Sequence, residues 1–297
     1  MRAYAPGIYP RSERLIRATR DLDRGRANPE SVEAAFVVDL GAFVNAQRAA
    51  GLDLLADGML TWQDHFRPLL EAAEGLDVGP LTRFLDTNAF YRAPKATSAA
   101  PVLREPVEAR YLRPLDGPRV VTLPSPFALS AGTGVTPAAI ARGVLKPQLD
   151  ELDVDLVVLV EPFLARVGEP DLEPLAEALG LLAGGPPLAL QFPFGNVRAL
   201  LERGLEDLPV DGFGIDFYAT HDGDVPLGFR KLLLAGVVDA RSSALEAPEA
   251  ISAFVDRLDA RGVLDVDLVP NGDLQFVPEP IAREKLARLG RAKGLHR

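Results

Sequence analysis

Residues 155–161 have the sequence Asp-Leu-Val-Val-Leu-Val-Glu, a run of five apolar residues between two acidic ones. A short run of this kind, rich in valine, is typical of a strand that is buried on both faces of a parallel sheet. Comparable runs occur along the chain, and most are followed by a longer amphipathic stretch, which predicts alternating strands and helices. The predicted strands cover 3–8, 52–57, 119–124, 155–161, 187–192, 212–216, 233–238 and 265–270.

Helices are predicted in the intervals between these strands. The stretch 30–50 has apolar residues at helical spacing, with Pro29 near its start and Gly51 beyond its end. Further helices are predicted at 136–150, 171–183, 195–205, 248–262 and 279–293. Eight strands with intervening helices favour a closed α/β fold, the (β/α)8 TIM barrel, over an open doubly wound sheet. The open sheet also lacks support from any Gly-x-Gly-x-x-Gly turn after a strand.

The length and one long insertion define the domain organisation. The 297 residues fit one barrel of about 250 residues with an elaboration, so we predict a single domain over 1–297. The stretch 71–118, after the second strand, is rich in Pro, Arg and Thr and too long for a plain connection. We predict an inserted flap with a hairpin around 88–112. It serves either as a structural cover for one end of the barrel or as a substrate lid.

Composition excludes several classes of function. The net charge of −10 provides no basic surface for nucleic acid or an anionic membrane. No stretch approaches the roughly 20 apolar residues of a membrane span, and the N-terminus lacks an apolar signal core, so we expect a cytoplasmic protein. The chain has no cysteine, which excludes disulfides, thiolate zinc sites, iron–sulfur clusters and a cysteine nucleophile.

Two acidic residues at strand ends are the first candidates for chemistry, since active sites of such barrels lie at the C-terminal ends of the strands. Glu161 ends the apolar run quoted above, and Asp216 follows Gly214 and Ile215 in the same way. Burial there would raise a carboxyl pKa and suit a general acid or base, or the pair could bind a hard cation. Alternatively, Glu161 caps a helix or pairs with Arg166, and the two acids tie loops together.

Other polar residues fall at the same predicted strand ends. They are Asp57, Asp64, His65, Ser125, Gln191, Asn196, Tyr218, His221, Asp239, Arg241, Asn271 and Asp273. For His65 and His221, a solvated loop position is favoured over a proton shuttle, and no His-x-x-x-His metal spacing occurs. The aromatic residues Tyr91, Tyr218, Phe192 and Phe194 either line an apolar pocket or belong to the core.

Several motifs in order along the chain resemble those of one family. They are Gly7-Ile8-Tyr9-Pro10-Arg11, the stretch 47–58 ending in Gly-Leu-Asp-Leu-Leu-Ala-Asp-Gly, Asp64, Glu161-Pro162-x-Leu164, Val237-Val238-Asp239 and Leu268-Val269-Pro270-Asn271. Their order and spacing resemble the C-terminal catalytic domain of cobalamin-independent methionine synthase along nearly the whole chain. The resemblance implies a barrel of the uroporphyrinogen decarboxylase/methionine synthase-like kind and, in the family, zinc-assisted methyl transfer to homocysteine.

The positions that carry the family's zinc and substrate ligands hold other residues here. The zinc ligands of the family, from His-x-Cys, a Glu and the Cys of Asp-Cys-Gly, correspond to Gln191 and Pro193, Asp216, and Gly272. Polar positions assigned by resemblance to the substrate's ammonium group hold Ile8, Met59 and Val160. A free thiol is mostly protonated at neutral pH, so loss of the metal removes its activation. We therefore expect no zinc cofactor, and a degenerate zinc site.

Three functional hypotheses follow from this resemblance. The first is a divergent, methyltransferase-like enzyme that binds or acts on an unidentified small molecule without zinc-thiolate chemistry. Its predicted catalytic residues are Glu161, Asp216 and Asp64, and its predicted substrate contacts are Gln191, Asn196, Tyr218, Asp239 and Asn271. The second hypothesis is a non-catalytic pseudoenzyme that is a protein partner of a true methionine synthase or another enzyme. The third is methyl transfer to a thiol such as homocysteine, retained by a modified site.

Overall fold

A computed structural model of the chain describes residues 1–107 and 111–296. The strands in this part are Ala73–Glu74 (β1), Leu76–Arg83 (β2), Phe90–Ala96 (β3), Val102–Leu103 (β4), Val120–Pro124 (β5), Leu156–Val160 (β6), Leu188–Phe192 (β7), Gly212–Asp216 (β8), Leu232–Val238 (β9) and Val266–Pro270 (β10). Strands β5 to β10 form a parallel sheet in which each strand pairs with the next one along the chain. The six strands predicted between 119 and 270 are thereby confirmed to within one residue at each end.

Two further segments join the edges of this sheet through single bridges. Ala3 forms a parallel bridge with Leu268 of β10, and Leu55 forms one with Arg119, next to β5. The backbone amide of Asp53 donates to the carbonyl of Ala3 at 2.9 Å, which links the two segments to each other. The strands predicted at 3–8 and 52–57 are therefore present only as short bridging segments. The first is interrupted because Pro6 has no amide proton and Gly7 turns the chain at a φ of 87°.

Helices surround the parallel sheet. Their bounds are Glu13–Asp23 (α1), Pro29–Ala50 (α2), Arg67–Ala72 (α3), Pro126–Ser130 (α4), Pro137–Ile140 (α5), Lys146–Asp150 (α6), Glu173–Gly180 (α7), Arg198–Glu202 (α8), Pro248–Ala260 (α9) and Glu279–Leu295 (α10), with a π-helical turn at Ala141–Leu145 between α5 and α6. Helix α2 begins after Asn28, whose side chain accepts from the amide of Ser31, and ends at Gly51 in the left-handed conformation.

The core lies on both faces of the parallel sheet. Every residue of β5, β6, β7, β8 and β10 is buried, as parallel sheets covered by helices require. Helices α2 and α10 pack against each other at a close approach that needs a glycine. A Cβ atom at Gly290 would lie 1.7 Å from the carbonyl oxygen of Ala50, so any larger residue there would push the two helices apart.

The insertion contains a hairpin, but not at the predicted position. Strands β2 and β3 pair antiparallel, and the segment 84–89, here called the hairpin tip, connects them. The hairpin thus spans 76–96 instead of 88–112, and residues 108–110 of the predicted range lie outside the described residues. Pro80 and Pro94 lie within β2 and β3, and this two-stranded sheet consists of edge strands, which accept proline.

In the described part of the chain, no helix is both long enough and apolar enough to cross a membrane.

Candidate functional site

Glu161 lies at the C-terminal end of β6 and is fully buried. One carboxylate oxygen, Oε1, accepts hydrogen bonds from the amides of Phe163 and Leu164, both at 2.9 Å. The other, Oε2, accepts from the hydroxyl of Ser125, which also caps helix α4 by accepting from the amide of Ala128. Burial raises the pKa of Glu161, although these hydrogen bonds act in the opposite direction. The carboxyl group therefore ties the loop after β6 to the start of α4.

Asp216, at the end of β8, is buried, and only one of its two carboxylate oxygens has hydrogen-bond partners among the described residues. Its Oδ1 accepts from the side-chain amide of Asn271 at 3.0 Å and from the backbone amide of Tyr218 at 2.8 Å. Its Oδ2 is buried and has no hydrogen-bond partner among the described residues. Burial raises the pKa of Asp216, and the nearby charge of Asp239 adds to this effect. An oriented carboxyl group with one free oxygen thus lies at the C-terminal end of the sheet.

Asp64 lies between helix α3 and the hairpin. Its Oδ1 accepts from the amides of Phe66 and Arg67, at the start of helix α3, at 2.8 and 2.9 Å. Its Oδ2 accepts from the amide of Arg92 in β3 at 3.0 Å. Both oxygens are therefore used to fix helix α3 and the hairpin in place, which is a structural use of a buried carboxylate.

His65, the next residue, is buried rather than solvated, in contrast to the sequence-based interpretation. Its Nε2 lies 2.7 Å from Oδ2 of Asp273, which also accepts from the side chain of Gln275. Its Nδ1 is buried and has no hydrogen-bond partner among the described residues. Burial lowers the pKa of His65, but the charge and hydrogen bond of Asp273 and the charge of Asp64 outweigh it, so the pKa is raised overall. The other oxygen of Asp273 accepts from the amide of Ile8 at 3.0 Å, which orients the carboxylate.

The predicted substrate contacts are spread over a wider area. Gln191 is buried and donates to the carbonyl of Pro270 at 3.2 Å, so it lies beside the loop that carries Asn271. Asn196 is exposed and donates to the carbonyl of Ala219. Tyr218 is 53% exposed.

Tyr218 and Asp239 meet at the carboxylate of Glu246. The hydroxyl of Tyr218 donates to Glu246 at 3.1 Å, and the backbone amide of Asp239 donates to it at 2.9 Å. Glu246 also pairs with the fully buried Lys285, 2.9 Å away. These two predicted contacts therefore belong to a network beside helix α9, while Gln191, Asp216 and Asn271 form the compact group at the end of the sheet.

The ring of Phe194 occupies the space next to Gly272, the position matched by resemblance to a zinc-binding cysteine. A Cβ atom at Gly272 would lie 2.5 Å from Cζ of Phe194. Phe276 packs edge-on against the Phe194 ring, and the guanidinium of Arg241 lies over it at 4.5 Å from the centroid. Phe194 itself has a φ of 56°, an unusual backbone conformation that directs this ring. Side chains therefore fill the space where a cysteine ligand would stand.

The remaining positions do not provide a metal site either. Asn271 turns its amide nitrogen, not its oxygen, toward Asp216, and its oxygen accepts from the amide of Ala240 at 2.8 Å. Gln191 likewise uses its nitrogen on a backbone carbonyl. Within residues 1–107 and 111–296, no group of three or more His, Asp or Glu side chains is arranged to hold a metal ion. The residues present do not fit the family's zinc ion.

The hairpin tip crosses over this end of the sheet. Asp86, at the tip, pairs with Arg241 from the loop after β9 at 3.1 Å. It also lies 4.0 Å from Arg166, which follows β6 and donates to the carbonyl of Phe194. Leu85 beside it has a φ of 53°. The hairpin tip is therefore held by charges from two loops that follow different strands of the sheet.

Sequence reasoning missed the pairing of His65 with Asp273. Both residues were among the polar residues at predicted strand ends, but their sequence separation of 208 residues hid the contact. The available signal was positional, because both residues follow predicted strands and the predicted barrel implies that such strand ends converge in space. The side chains of Asp216 and His65 therefore both bond to the same short loop, 271–273, while Oδ2 of Asp216 and Nδ1 of His65 have no partner among the described residues.

Comparison with known proteins yields a structural likeness only. No family model and no curated protein sequence matches the chain. A B12-independent methionine synthase from Shewanella sp. W3-18-1, solved in complex with selenomethionine, superposes with a TM-score of 0.80 at 17% identity, covering 99% of this chain and 97% of that one. A putative vitamin-B12 independent methionine synthase from Listeria monocytogenes gives 0.77 at 15% identity, covering 99% and 98%.

A methyltransferase from Methanosarcina mazei matches more distantly. Its TM-score is 0.52 at 15% identity, with coverage of 98% of this chain and 94% of that one. At these identities the likeness concerns the fold. The chain has the fold of the B12-independent methionine synthase-like proteins.

Proposed function

We propose that this chain is a divergent methionine synthase-like protein that binds a small polar molecule at the C-terminal end of its parallel sheet, without zinc-thiolate chemistry. The observation that carries the proposal is Asp216, whose Oδ1 is fixed by Asn271 while its buried Oδ2 has no partner among the described residues. A buried polar atom without a hydrogen bond is costly, and such atoms concentrate where a ligand supplies the missing partner.

The proposal includes a closed (β/α)8 barrel formed as one domain over 1–297. Its support is the pair of bridges at Ala3 and Leu55, together with the hydrogen bond from Asp53 to Ala3, which would join β10 to β5 through two short segments. In this arrangement 71–118 is a flap inserted after the second segment. Closure would bring all strand ends to one rim, where ligands of such barrels bind.

Within this site we assign the ligand contacts to Asp216, Gln191 and Asn271. Glu161 and Asp64 take a scaffold role in the proposal, because all four of their carboxylate oxygens accept hydrogen bonds from the protein itself. The raised pKa of Asp216 suits a carboxyl group that exchanges a proton with a ligand. We propose that the site works without a resident zinc ion.

The test is thermal stabilisation of the purified protein across a panel of metabolites that includes pterins and thiols. A compound that binds the folded state raises its melting temperature by mass action. We expect at least one compound to stabilise the wild type and to lose its effect with Asp216→Asn. Asp153→Asn, a change at an exposed acid, is the matched control and should respond like the wild type. If no compound shifts the wild type, the proposal is wrong.

A second candidate function is a non-catalytic barrel that binds another protein. It is favoured by the ring of Phe194, which fills the space beside Gly272, and by apolar side chains exposed on α1 and α2. Ile16 is 46% exposed, Val37 56% and Val38 50%. Affinity capture from the source cell should then recover a stable partner that is lost with Val37→Lys/Val38→Lys. Recovery of no partner by the wild type would count against this candidate.

A further inference from the structure

Helix α2 has an apolar face that points to solvent. Its opposite side buries Phe36 and Phe43, and helices α1 and α10 pack along its flanks. The exposed side, here called the α2 face, begins at Glu30 and ends at Arg48. Between these two charged residues it consists of Ala34, Val37, Val38, Gly41, Ala42 and Asn45. The α2 face therefore has a single polar side chain, the amide of Asn45, between its charged ends.

The composition of the α2 face is that of a covered surface. A surface helix is normally polar on its solvent side, and a helix that is apolar on nearly all sides is normally buried. Val37 is 56% exposed and Val38 is 50% exposed. A Cβ atom at Gly41 would meet nothing within 4 Å, so the space in front of the middle of the helix is open. The described part of the chain thus leaves this apolar surface to solvent.

Glu30 and Arg48 lie at matching positions at the two ends of the α2 face. They are 18 residues apart, or about five turns of an α-helix, so both side chains leave the helix on the same side, about 27 Å apart. Neither forms an ion pair within the described residues, and Arg48 donates to the backbone carbonyl of Asp116 at 3.0 Å. By contrast, Glu33, at the edge of the face, pairs with Arg113. The α2 face thus carries one unpaired negative charge at one end and one unpaired positive charge at the other.

We propose that the α2 face binds the α2 face of a second copy of this chain, with the two helices antiparallel about a two-fold axis near Asp39. Asp39 lies midway between Glu30 and Arg48 in the sequence, so this axis brings Glu30 of one copy beside Arg48 of the other at both ends. Val37 and Val38 of both copies pack between these ion pairs. The inference goes beyond the proposed function because it needs no ligand at the strand ends. It assigns to a second copy the face that the second candidate function leaves to another protein.

The charge pattern favours a second copy and fixes the direction of its helix. A parallel pair in register would place Glu30 beside Glu30 and Arg48 beside Arg48, whereas the antiparallel pair replaces both like-charge contacts with opposite-charge contacts. Antiparallel helices also bring the positive N-terminal end of one macrodipole beside the negative C-terminal end of the other. A two-fold interface must be complementary to itself, and an acid and a base at equal distances from the axis meet this condition.

The small residues in the middle of the α2 face allow the two helices to approach closely. Helix axes with small side chains at the contact come within about 8 Å of each other, and a crossing angle of about 20° is one of the preferred values. At that angle the two axes diverge by only about 5 Å at the ends of the face, about 13 Å from the crossing point. The long side chains of Glu30 and Arg48 span this distance. One helix face is a small interface, so we expect a dissociation constant in about the micromolar range.

Sedimentation of the purified protein tests the proposal. The mass is measured by analytical ultracentrifugation from about 1 to about 100 µM in low salt, where exposed charges are least screened. The wild type should shift from monomer to dimer over this range. Val37→Lys/Val38→Lys should weaken the dimer about tenfold or more, because it places four ammonium groups in an apolar contact. Val102→Lys is the matched control, since Val102 is also 56% exposed but lies in β4, and should dimerise like the wild type.

Charge reversal tests the antiparallel register. Glu30→Arg and Arg48→Glu should each weaken the dimer about tenfold, since each change creates two like-charge contacts. An equimolar mixture of the two variants should dimerise like the wild type, because both end contacts between them again join an acid and a base. Loss of folding could not produce this recovery. Glu249→Arg is the matched control, since Glu249 is an exposed acid in the first turn of α9, and its reversal should leave dimerisation unchanged.

Three results would overturn the proposal. A wild type that stays monomeric up to about 100 µM means that a different molecule covers the α2 face. A dimer that persists in Val37→Lys/Val38→Lys uses another surface. Single charge variants that remain monomeric after mixing contradict the antiparallel register. Stabilisation by a metabolite is a separate measurement, so this inference and the proposed function can fail independently.

Discussion

Replacing Gly272 with alanine tests whether Phe194 fills the space beside it. The new Cβ would lie 2.5 Å from Cζ and 2.8 Å from Cε1 of the ring, whereas carbon atoms in contact prefer about 3.5–4.0 Å. The ring must therefore move by about 1 Å in a packed environment, and overpacking of this kind costs about 1–3 kcal/mol. Gly272 lies outside the left-handed region, so alanine adds no backbone strain of its own.

A second substitution shows whether this cost comes from the ring. Phe194→Leu removes Cε1, Cε2 and Cζ, the three atoms nearest to the new Cβ, and costs about 2 kcal/mol for three buried carbons. In the double variant the alanine Cβ occupies space that the ring has left. We expect the double variant to be no less stable than Phe194→Leu alone, which gives a coupling free energy of about 1–3 kcal/mol.

The assay is urea unfolding of the wild type, the two single variants and the double variant. Gly180→Ala is the matched control, because nothing lies within 4 Å of a Cβ at that position. It should not destabilise the protein, and its effect should add to that of Phe194→Leu. If the costs of Gly272→Ala and Phe194→Leu simply add, the ring does not fill this space, and the argument against a cysteine ligand at position 272 fails.

Three further predictions concern charged side chains. His65→Gln should lower the free energy of unfolding most below pH 6.5, and the difference should shrink as the pH rises through the raised pKa of His65; a pH-independent difference would contradict this. The wild type should lose stability as the pH rises from 4.5 through the raised pKa of the buried Glu161 carboxyl, and Glu161→Gln should remove this loss. Parallel pH profiles of the free energy of unfolding of the two proteins would refute the assignment. Asp86→Asn should speed hydrogen exchange at 84–89 by releasing Arg241, while global stability changes by less than about 1 kcal/mol; unchanged exchange would mean that the pair does not hold the hairpin tip.

The strands from 119 to 270 could be predicted because each is a short apolar run that ends at a polar residue or proline. A strand that is buried on both faces of a sheet is apolar along nearly its whole length, wherever it lies in the chain. The segments around Ala3 and Leu55 left a similar pattern but form only bridges, since pairing depends on neighbours that lie far away in the sequence. The hairpin was misplaced because β2 and β3 are mostly exposed and show no alternating pattern of buried residues.

The candidate site was predictable in position but not in its hydrogen bonds. The sequence pattern predicts Glu161 and Asp216 at the C-terminal ends of two strands, and they lie at the ends of β6 and β8. A carboxylate accepts hydrogen bonds from its own protein only if the fold brings amides or hydroxyls close to it. The hydroxyl of Ser125, which donates to Glu161, is an example. The burial of His65 could not be predicted for the same reason, since its partner Asp273 follows the last strand.

The contact of the N-terminal segment with the last strand has a consequence for biosynthesis. Ala3 bridges Leu268, and Arg2 donates to the carboxylate of Asp267 at 2.7 Å, so this segment pairs with a strand that is synthesised 265 residues later. Until β10 has been synthesised, the hydroxyl group of Tyr4 lacks its hydrogen-bond acceptor, the carboxylate of Asp267. We expect nascent chains that stop before Val266 to expose this edge of the sheet, and the segment around Ala3 to become ordered only after β10 has been synthesised.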